Sequence, residues 1–405
     1  MSNTDRVNFF VLDRESFYDT GNKNIKKVVS ILNKDKLVII KGLKNIGKIN
    51  FIKEFISKTK LNNNYFYFNK SDDISNTVSV GYDLEYLLNE YTKLYKNPKI
   101  IILQDISKIE GVKDFISKIY KENYKTILIG NTIKIGGIKE LEIHADIDLV
   151  SDNIKSSLKY GSLNEVKSLD SNDVKKKYLN LSVSDIFLND IFKNYGVKSI
   201  ELYIFTMKYL ANNSIHYSLR ELQKKLDYIQ KISLKTTIDY IDFSLQEKII
   251  KRSYLYDLKN NKAITTKAKY YFSDNGIRNS LADFNLSNDI LVENLIFNIL
   301  ELHNYDIYSG TFGNFDFAFY GILRDNGYID EHDKHSGAEK IYIHITNQNS
   351  KEEIKKEISK FQKIGDGFKK YILIKNIEDL GFKKTHYDDV EVVEIDEFLI
   401  RFEKK

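Results

Sequence analysis

Between residues 25 and 150, short apolar runs alternate with stretches whose apolar positions recur every three or four residues. The runs are Leu37–Ile40, Tyr65–Phe68, Ile100–Leu103, Thr126–Ile129 and Leu141–Ile143, and the helical stretches are 48–59, 84–95 and 112–121. Strand–helix alternation of this kind predicts a parallel sheet flanked by helices. From about 151 the pattern becomes mainly helical. Ser218–Ile229 and Leu234–Glu247 read as two helices separated by Gln230–Ser233. Ile249–Asp257, a turn at 259–262 and Lys262–Thr265 then read as a hairpin, completing the order of a winged helix. From about 285 the chain changes again. Helices are expected at Leu291–Leu302 and Lys351–Phe361, and strands at Tyr305–Tyr308, Phe315–Phe319, Tyr342–Ile345, Tyr371–Ile374 and Val390–Ile395. Leu323–Lys340 is polar and reads as a loop or hairpin insertion.

These shifts divide the chain into a weakly patterned lead-in at 1–20 and segments 21–150, 151–284 and 285–405. A length of 405 residues requires more than one domain. With 42% hydrophobic and 29% charged residues the chain is globular. The formal charge of +5 is small for the length, so contact with nucleic acid needs a local basic patch. The absence of Cys excludes disulfides and thiolate metal sites. The N-terminus lacks a secretory pattern, and no apolar run approaches the ~18 residues that span a bilayer. A cytoplasmic location is the expectation. One Pro and abundant Lys, Asn, Ile and Tyr mark an AT-rich coding bias, which exchanges Arg for Lys without functional meaning.

The strongest chemical signal is Gly42-Leu43-Lys44-Asn45-Ile46-Gly47-Lys48-Ile49, lying where a strand turns into a helix. G-x-x-x-x-G-K lets backbone N–H groups close around phosphate oxygens, with a helix N-terminus behind them and Lys48 reaching the outer phosphates. The next position ordinarily carries a hydroxyl that binds magnesium. Here it is Ile49, which has no oxygen.

A partner carboxylate is expected at the end of a later strand, and Lys99–Asp105 ends in Gln104-Asp105. Gln104 is neutral and supplies no anion to a magnesium shell. Asp105 remains able to polarise water, but it is one methylene shorter than Glu. The following strand ends in Gly130-Asn131, the right place for a side chain that touches the γ-phosphate. Asn50 is the nearest oxygen-bearing residue to the missing hydroxyl. Among the seven His residues no tight ligand spacing occurs, and His332 and His335 beside Asp330, Glu331 and Asp333 read as a solvated loop. Lys224, Lys225, Lys231 and Lys235, with Thr236 and Tyr240, surround the two helices of the winged-helix segment and offer phosphate contacts or a plain solvated face.

In this order the chain resembles prokaryotic AAA-family ATP-binding proteins that join a P-loop ATPase domain, a winged helix and a C-terminal domain similar to PD-(D/E)xK nucleases. Gly42–Ile49 stands where that family has G-P-R-x-x-G-K-T, Leu103–Ile106 where it has L-D-E-I, and Leu158-Lys159-Tyr160-Gly161 where it has L-x-x-Y-G-G. Lys269–Asn279 is similar to K-x-Y-F-x-D-x-G-L-R-N, and Glu293-Asn294-Leu295-Ile296 to E-N-L-V. Asn314–Phe317 falls at E-I-D-F.

The resemblance implies an α/β fold: an AAA-type parallel-sheet domain, a helical and winged-helix middle, and an α/β nuclease-like end. It implies ATP as ligand, with magnesium left open. Gly42, Lys44, Gly47, Lys48, Ile49, Asn50 and Asn131 would bind the nucleotide, and Asp105 would be the catalytic group. Ile49, Gln104 and Asp105 together point to weak or lost hydrolysis. In the nuclease-like segment Glu293 and Asp316 remain, whereas Asn314, His344 and Thr346 replace the acidic, amide and basic groups, so no metal site is expected. DNA or protein partners and oligomerisation are compatible with the pattern. Two rival readings are a slow magnesium-dependent ATPase, with Asn50 or a backbone group in place of the hydroxyl, and a scaffold that binds DNA or protein without nucleotide.

Overall fold

The computed structural model describes residues 24–61, 64–71, 77–144, 147, 154–324, 338–346, 350–377 and 385–403. The lead-in, His332, His335 and most of the 323–340 insertion therefore lie outside the described residues. Contacts divide the chain into two compact units, residues up to 145 with Gln246–Lys248, and 146–245 with 249–405.

The first unit opens with helix α1 (Asn24–Lys34), which buries Ile25, Val28, Ile31 and Leu32. It continues as β1 (Leu37–Lys41), α2 (Lys48–Lys58), β2 (Tyr65–Asn69), α3 (Gly81–Tyr95), β3 (Ile100–Gln104), α4 (Val112–Lys121), β4 (Lys125–Ile129) and β5 (Lys139–Glu142). The strands form a five-stranded sheet in the order β2-β3-β4-β1-β5, and every neighbouring pair is parallel. Val38, Ile39, Ile40, Ile101, Ile102, Ile127 and Leu128 are fully buried, as uninterrupted apolar strands between helical layers must be. In α2, Phe51, Ile52, Phe55 and Ile56 form the apolar stripe that faces the sheet. The consequence for function is that β1, β3 and β4 are adjacent and end at the same edge. Ligands of open parallel sheets bind at that edge.

The second unit begins with helices α5 (Ile154–Tyr160), α6 (Asn172–Asp185, followed by a π-helical stretch at Ile186–Phe192) and α7 (Ile200–Asn212). Helices α8 (Leu219–Ile229) and α9 (Leu234–Gln246) match the two expected from the sequence. Ser218 caps α8 reciprocally: its Oγ accepts from Glu221 N at 3.2 Å, and its N–H donates to Glu221 Oε2 at 2.8 Å. The turn between them is closed by Asp227 Oδ1, which accepts from Ile232 N at 3.1 Å, and Ser233 Oγ accepts from Thr236 N.

A hairpin of β6 (Ile250–Asp257) and β7 (Lys262–Phe272) follows, then α10 (Asn275–Leu281), α11 (Asn288–Leu302), β8 (Tyr305–Phe312), β9 (Phe315–Leu323), β10 (Lys340–Ile345), α12 (Lys351–Gln362), β11 (Lys369–Ile374), β12 (His386–Tyr387), β13 (Val390–Glu394) and α13 (Ile395–Glu403). The described strands form one mixed sheet in the order β12-β13-β11-β10-β9-β8-β6-β7. The hairpin is thus continuous with the C-terminal strands through the parallel pair β6·β8. Strand β7 runs seven residues beyond Thr265, so the expectation of Lys262–Thr265 is too short. Val390–Ile395 was expected to be one strand, but Ile395 opens a helix, because Ile395, Phe398, Leu399 and Phe402 share a helical face against the core.

Helices α11 and α13 cover one face of the C-terminal strands, with Ile341, Ile343, Leu373 and Val393 pointing toward them. Helix α12 covers the other, against Tyr342, Ile372, Ile374 and Val392. Among the described residues no helix is long and apolar enough to cross a membrane.

Candidate functional site: a glycine-bounded loop at the sheet edge

Between β1 and α2 the backbone passes through three positive-φ positions, Gly42 at 150°, Asn45 at 61° and Gly47 at 99°. Gly42 has a second reason to be glycine: a Cβ there would stand 2.6 Å from the Ile143 carbonyl oxygen. Leu43 and Ile46 are 2% and 4% exposed and pin the loop from beneath. Gly47 caps α2, and its carbonyl accepts from Phe51 N at 2.9 Å. Lys48 Nζ donates to the Gly42 carbonyl at 2.7 Å, folding the side chain back over the loop. Lys44 and Asn50 are half-buried, and Ile49 is 36% exposed.

The structure brings Asn131 to this loop and fixes it there. Its Oδ1 accepts from Gly42 N at 2.9 Å, and its Nδ2 donates to Gly42 O at 3.0 Å. The same Nδ2 lies 3.2 Å from both the carbonyl and Oε2 of Glu247. Asn131 is 9% exposed, so its amide is committed to shaping the loop. Glu247, itself 6% exposed, carries no sequence signal for this role, since it lies 116 residues downstream.

Asp105 leaves β3 in a left-handed conformation, φ 55°, with its N–H bonded to Ile129 O at 2.9 Å. Its Oδ2 accepts from Ser71 Oγ at 2.9 Å and lies 3.4 Å from Gln104 Nε2. Gln104 is 7% exposed, and its Oε1 accepts from Tyr67 OH at 3.1 Å. Ser71, like Glu247, carries no local sequence signal for its place here. The register Asn69↔Gln104 brings it beside Asp105, and only strand pairing reveals that.

The later motif positions fall in the second unit and form a structural knot. Asp274 caps α10, accepting from Ile277 N at 3.0 Å and Ser162 N at 2.7 Å; burial pushes its carboxyl up, against these bonds. Asn275 and Asn279 donate to Leu158 O and Lys159 O at 3.1 and 2.9 Å, and a Cβ on Gly276 would stand 2.1 Å from Tyr160 O. Fully buried Arg278 donates through Nε to Ala211 O at 3.0 Å and through Nη1 to Asn294 Oδ1 at 2.9 Å. These residues tie α5 to α10 and α11, which explains why their types are so specific.

Glu293, on α11, accepts from Tyr271 OH at 2.7 Å and Ser214 Oγ at 3.1 Å and pairs with Lys269. His344 lies across the sheet on the α12 side. Its Nε2 is 3.2 Å from Glu357 Oε1, and its ring centroid is 5.2 Å from that of Phe315. Thr346 Oγ1 donates to the same Glu357 oxygen at 3.1 Å. Asp316 is exposed. The positions that would have to converge on a nuclease metal are split between two faces of the sheet.

Residues 34–136 match the family model described as the AAA domain. Over 328 residues the chain is 23% identical to uncharacterized protein MJ1544 of Methanocaldococcus jannaschii, covering 68% of this chain and 70% of that protein. Among solved structures it is similar to the Walker-type ATPase PABY2304 of Pyrococcus abyssi, with 12% identity, TM-score 0.42, and 66% of this chain and 97% of that one covered. It is also similar to AMPPCP-bound DnaA from Aquifex aeolicus, with 15% identity, TM-score 0.28, and 57% and 90% covered. At that overlap neither structural likeness bears on function. The family match and the strand–loop–helix geometry together make residues 34–136 an AAA-type P-loop domain.

Proposed function

We propose that the protein binds ATP at the Gly42–Asn50 loop and uses it as a structural or switching ligand, with hydrolysis weak or lost. The observation that carries this reading is the loop itself. Gly42 and Gly47 give it the backbone conformation that phosphate binding needs, it opens into the N-terminus of α2, and Lys48 is held over it. In this reading phosphate oxygens replace the Gly42 carbonyl as the partner of Lys48. Asn131 acts as a positioning residue for Gly42 rather than as a free phosphate sensor.

Weak turnover follows from the surroundings. Ile49 supplies no magnesium ligand, Gln104 is neutral and bonded to Tyr67, and Asp105 is held by Ser71. A ligand that favours one conformation shifts a protein only by its differential affinity, which needs binding but no chemistry. Thermal melting with ATP and with ADP tests the reading: both should raise the midpoint, and no shift with either would sink it.

Under the same reading, 151–284 is a linker and winged helix, and 285–405 is a nuclease-like domain without activity. Contact of the winged helix with DNA is the second reading. Exposed Arg220, Lys224, Lys225, Lys231 and Lys235 favour it, and Asp242, also exposed on α9, opposes it. Duplex retention that weakens with salt and with charge reversal at Lys231 and Lys235 would support it.

A further inference from the structure

Strands β6 and β8 run parallel, yet they pair only over Leu255–Asp257 and Ser309–Thr311. Toward their N-terminal ends Arg252–Tyr254 and Tyr305–Tyr308 have no ladder between them, and Ser253 Oγ donating to Ile307 O at 3.1 Å bridges the opening. A cavity of ≈ 160 Å³ fills this wedge within the second unit, lined among others by Arg252, Tyr254, Glu301, Tyr305, Asp306 and Arg324.

The charged groups around the wedge are paired except at one position. Glu301 pairs with Lys251, and Asp306 with Arg324 through Nε at 2.6 Å. Arg252 has no ion pair among the described residues, and its guanidinium lies 5.0 Å from the Tyr254 ring. Arg252 is thus the guanidinium of the wedge without a carboxylate partner, and Arg324 engages Asp306 through Nε, leaving its two terminal nitrogens without a hydrogen bond among the described residues. Burial, with Glu339 and Tyr371 nearby, pushes the Tyr305 phenol up to about 12, and its hydroxyl is engaged by Glu339. The lining is partly aromatic and presents two guanidiniums, one of them without a carboxylate partner among the described residues.

Residue choice adds weight. Only seven of the 62 basic residues are Arg, and two of those seven line this cavity. A coding bias that favours Lys leaves Arg where a planar fork does what an ammonium does not, as in gripping phosphate or carboxylate. The volume is well below the ~300–1,000 Å³ of pockets that enclose whole cofactors, so the site suits one small group.

We propose that the β6–β8 wedge binds a phosphate group, free or as a phosphomonoester, with Arg252 and Arg324 as its two forks. The site is independent of the nucleotide loop.

The test uses the full chain carrying Lys48→Ala, so that binding at the loop does not contribute. Inorganic phosphate, a 5′-phosphorylated thymidine dinucleotide and its unphosphorylated form are titrated calorimetrically. Phosphate or the phosphorylated dinucleotide should bind and the unphosphorylated form should not. Arg252→Gln, a change at an exposed side chain, should weaken binding by at least about tenfold, the weight of one charge-assisted hydrogen bond, with an unchanged melting midpoint. Arg324→Lys, which keeps the charge and removes the fork, should weaken it as well. Tighter binding of the phosphorylated dinucleotide than of phosphate would identify an ester as the source, and equal binding the free anion. No binding of either, or full binding in Arg252→Gln, would overturn the proposal.

Discussion

Asn131 brackets Gly42, taking its N–H at 2.9 Å and giving a hydrogen bond to its carbonyl at 3.0 Å. A residue two positions beyond β4 thereby sets the backbone of the loop that follows β1, and does so from a buried position. Asn131→Ala should leave the buried Gly42 N–H without its partner, at a cost of about 1–3 kcal/mol. ATP affinity should fall about tenfold, since a loop released from its bound shape must be ordered again on binding. Asn131→Asp keeps the acceptor but sets a carboxylate against the Gly42 carbonyl, and should be no better. Urea melts and ATP titrations check both, and unchanged affinity in Asn131→Ala would separate the residue from the site.

Glu293 is the centre of an ion pair that is mostly buried, with side-chain exposures of 15% for Glu293 and 12% for Lys269. Glu293→Gln keeps one accepting oxygen and replaces the other by an amide N–H, to which a hydroxyl must turn as acceptor, and it leaves the Lys269 ammonium without a counter-charge, at a cost of about 3 kcal/mol. Adding Lys269→Met should return part of that loss. If the role is structural, a chelator should not move the melting midpoint of the unaltered protein. A metal-dependent midpoint abolished by Glu293→Gln would contradict this account.

His216 sits near Lys269, Glu293, Asp316 and Lys267, and burial above all, then Lys269, pushes its imidazole down from 6.5 to about 4. The folded protein therefore resists a proton that the unfolded chain accepts. This contribution to stability is fully present above pH 6.5 and is lost progressively as pH falls toward 4, at up to about 1.4 kcal/mol per unit. His216→Gln should show a shallower loss of stability between pH 7 and 5 than the parent. Parallel profiles from chemical denaturation at several pH values would argue that the imidazole titrates normally.

The sheet was readable from sequence because its strands are uninterrupted apolar runs. Leu37–Ile40 and Ile100–Leu103 carry no alternation, and only a sheet buried on both faces explains that. The loop was readable because its glycines are local in sequence. What could not be read was everything that depends on strand order. Ser71 reaches Asp105 only because β2 lies beside β3, and Asn131 reaches Gly42 only because β4 lies beside β1. Glu247 arrives from 116 residues downstream. The same limit applies to His344 and Glu293. Motif spacing sets them in one nuclease-like pattern, whereas Glu293 lies on α11, over one face of the sheet, and the pleat of β10 turns His344 to the α12 face. At Val390–Ile395 the apolar run hid a change of period from two to near four, visible only once Phe398, Leu399 and Phe402 are counted with Ile395.

The central claim, a nucleotide loop that binds without efficient turnover, is tested most directly by calorimetric titration of ATP with and without magnesium, beside Lys48→Ala. The account predicts binding to the parent protein that magnesium changes little, because Ile49 and Gln104 offer the cation no anchor, and loss of that binding in Lys48→Ala. Absence of binding in either condition, or binding that persists without Lys48, would contradict it.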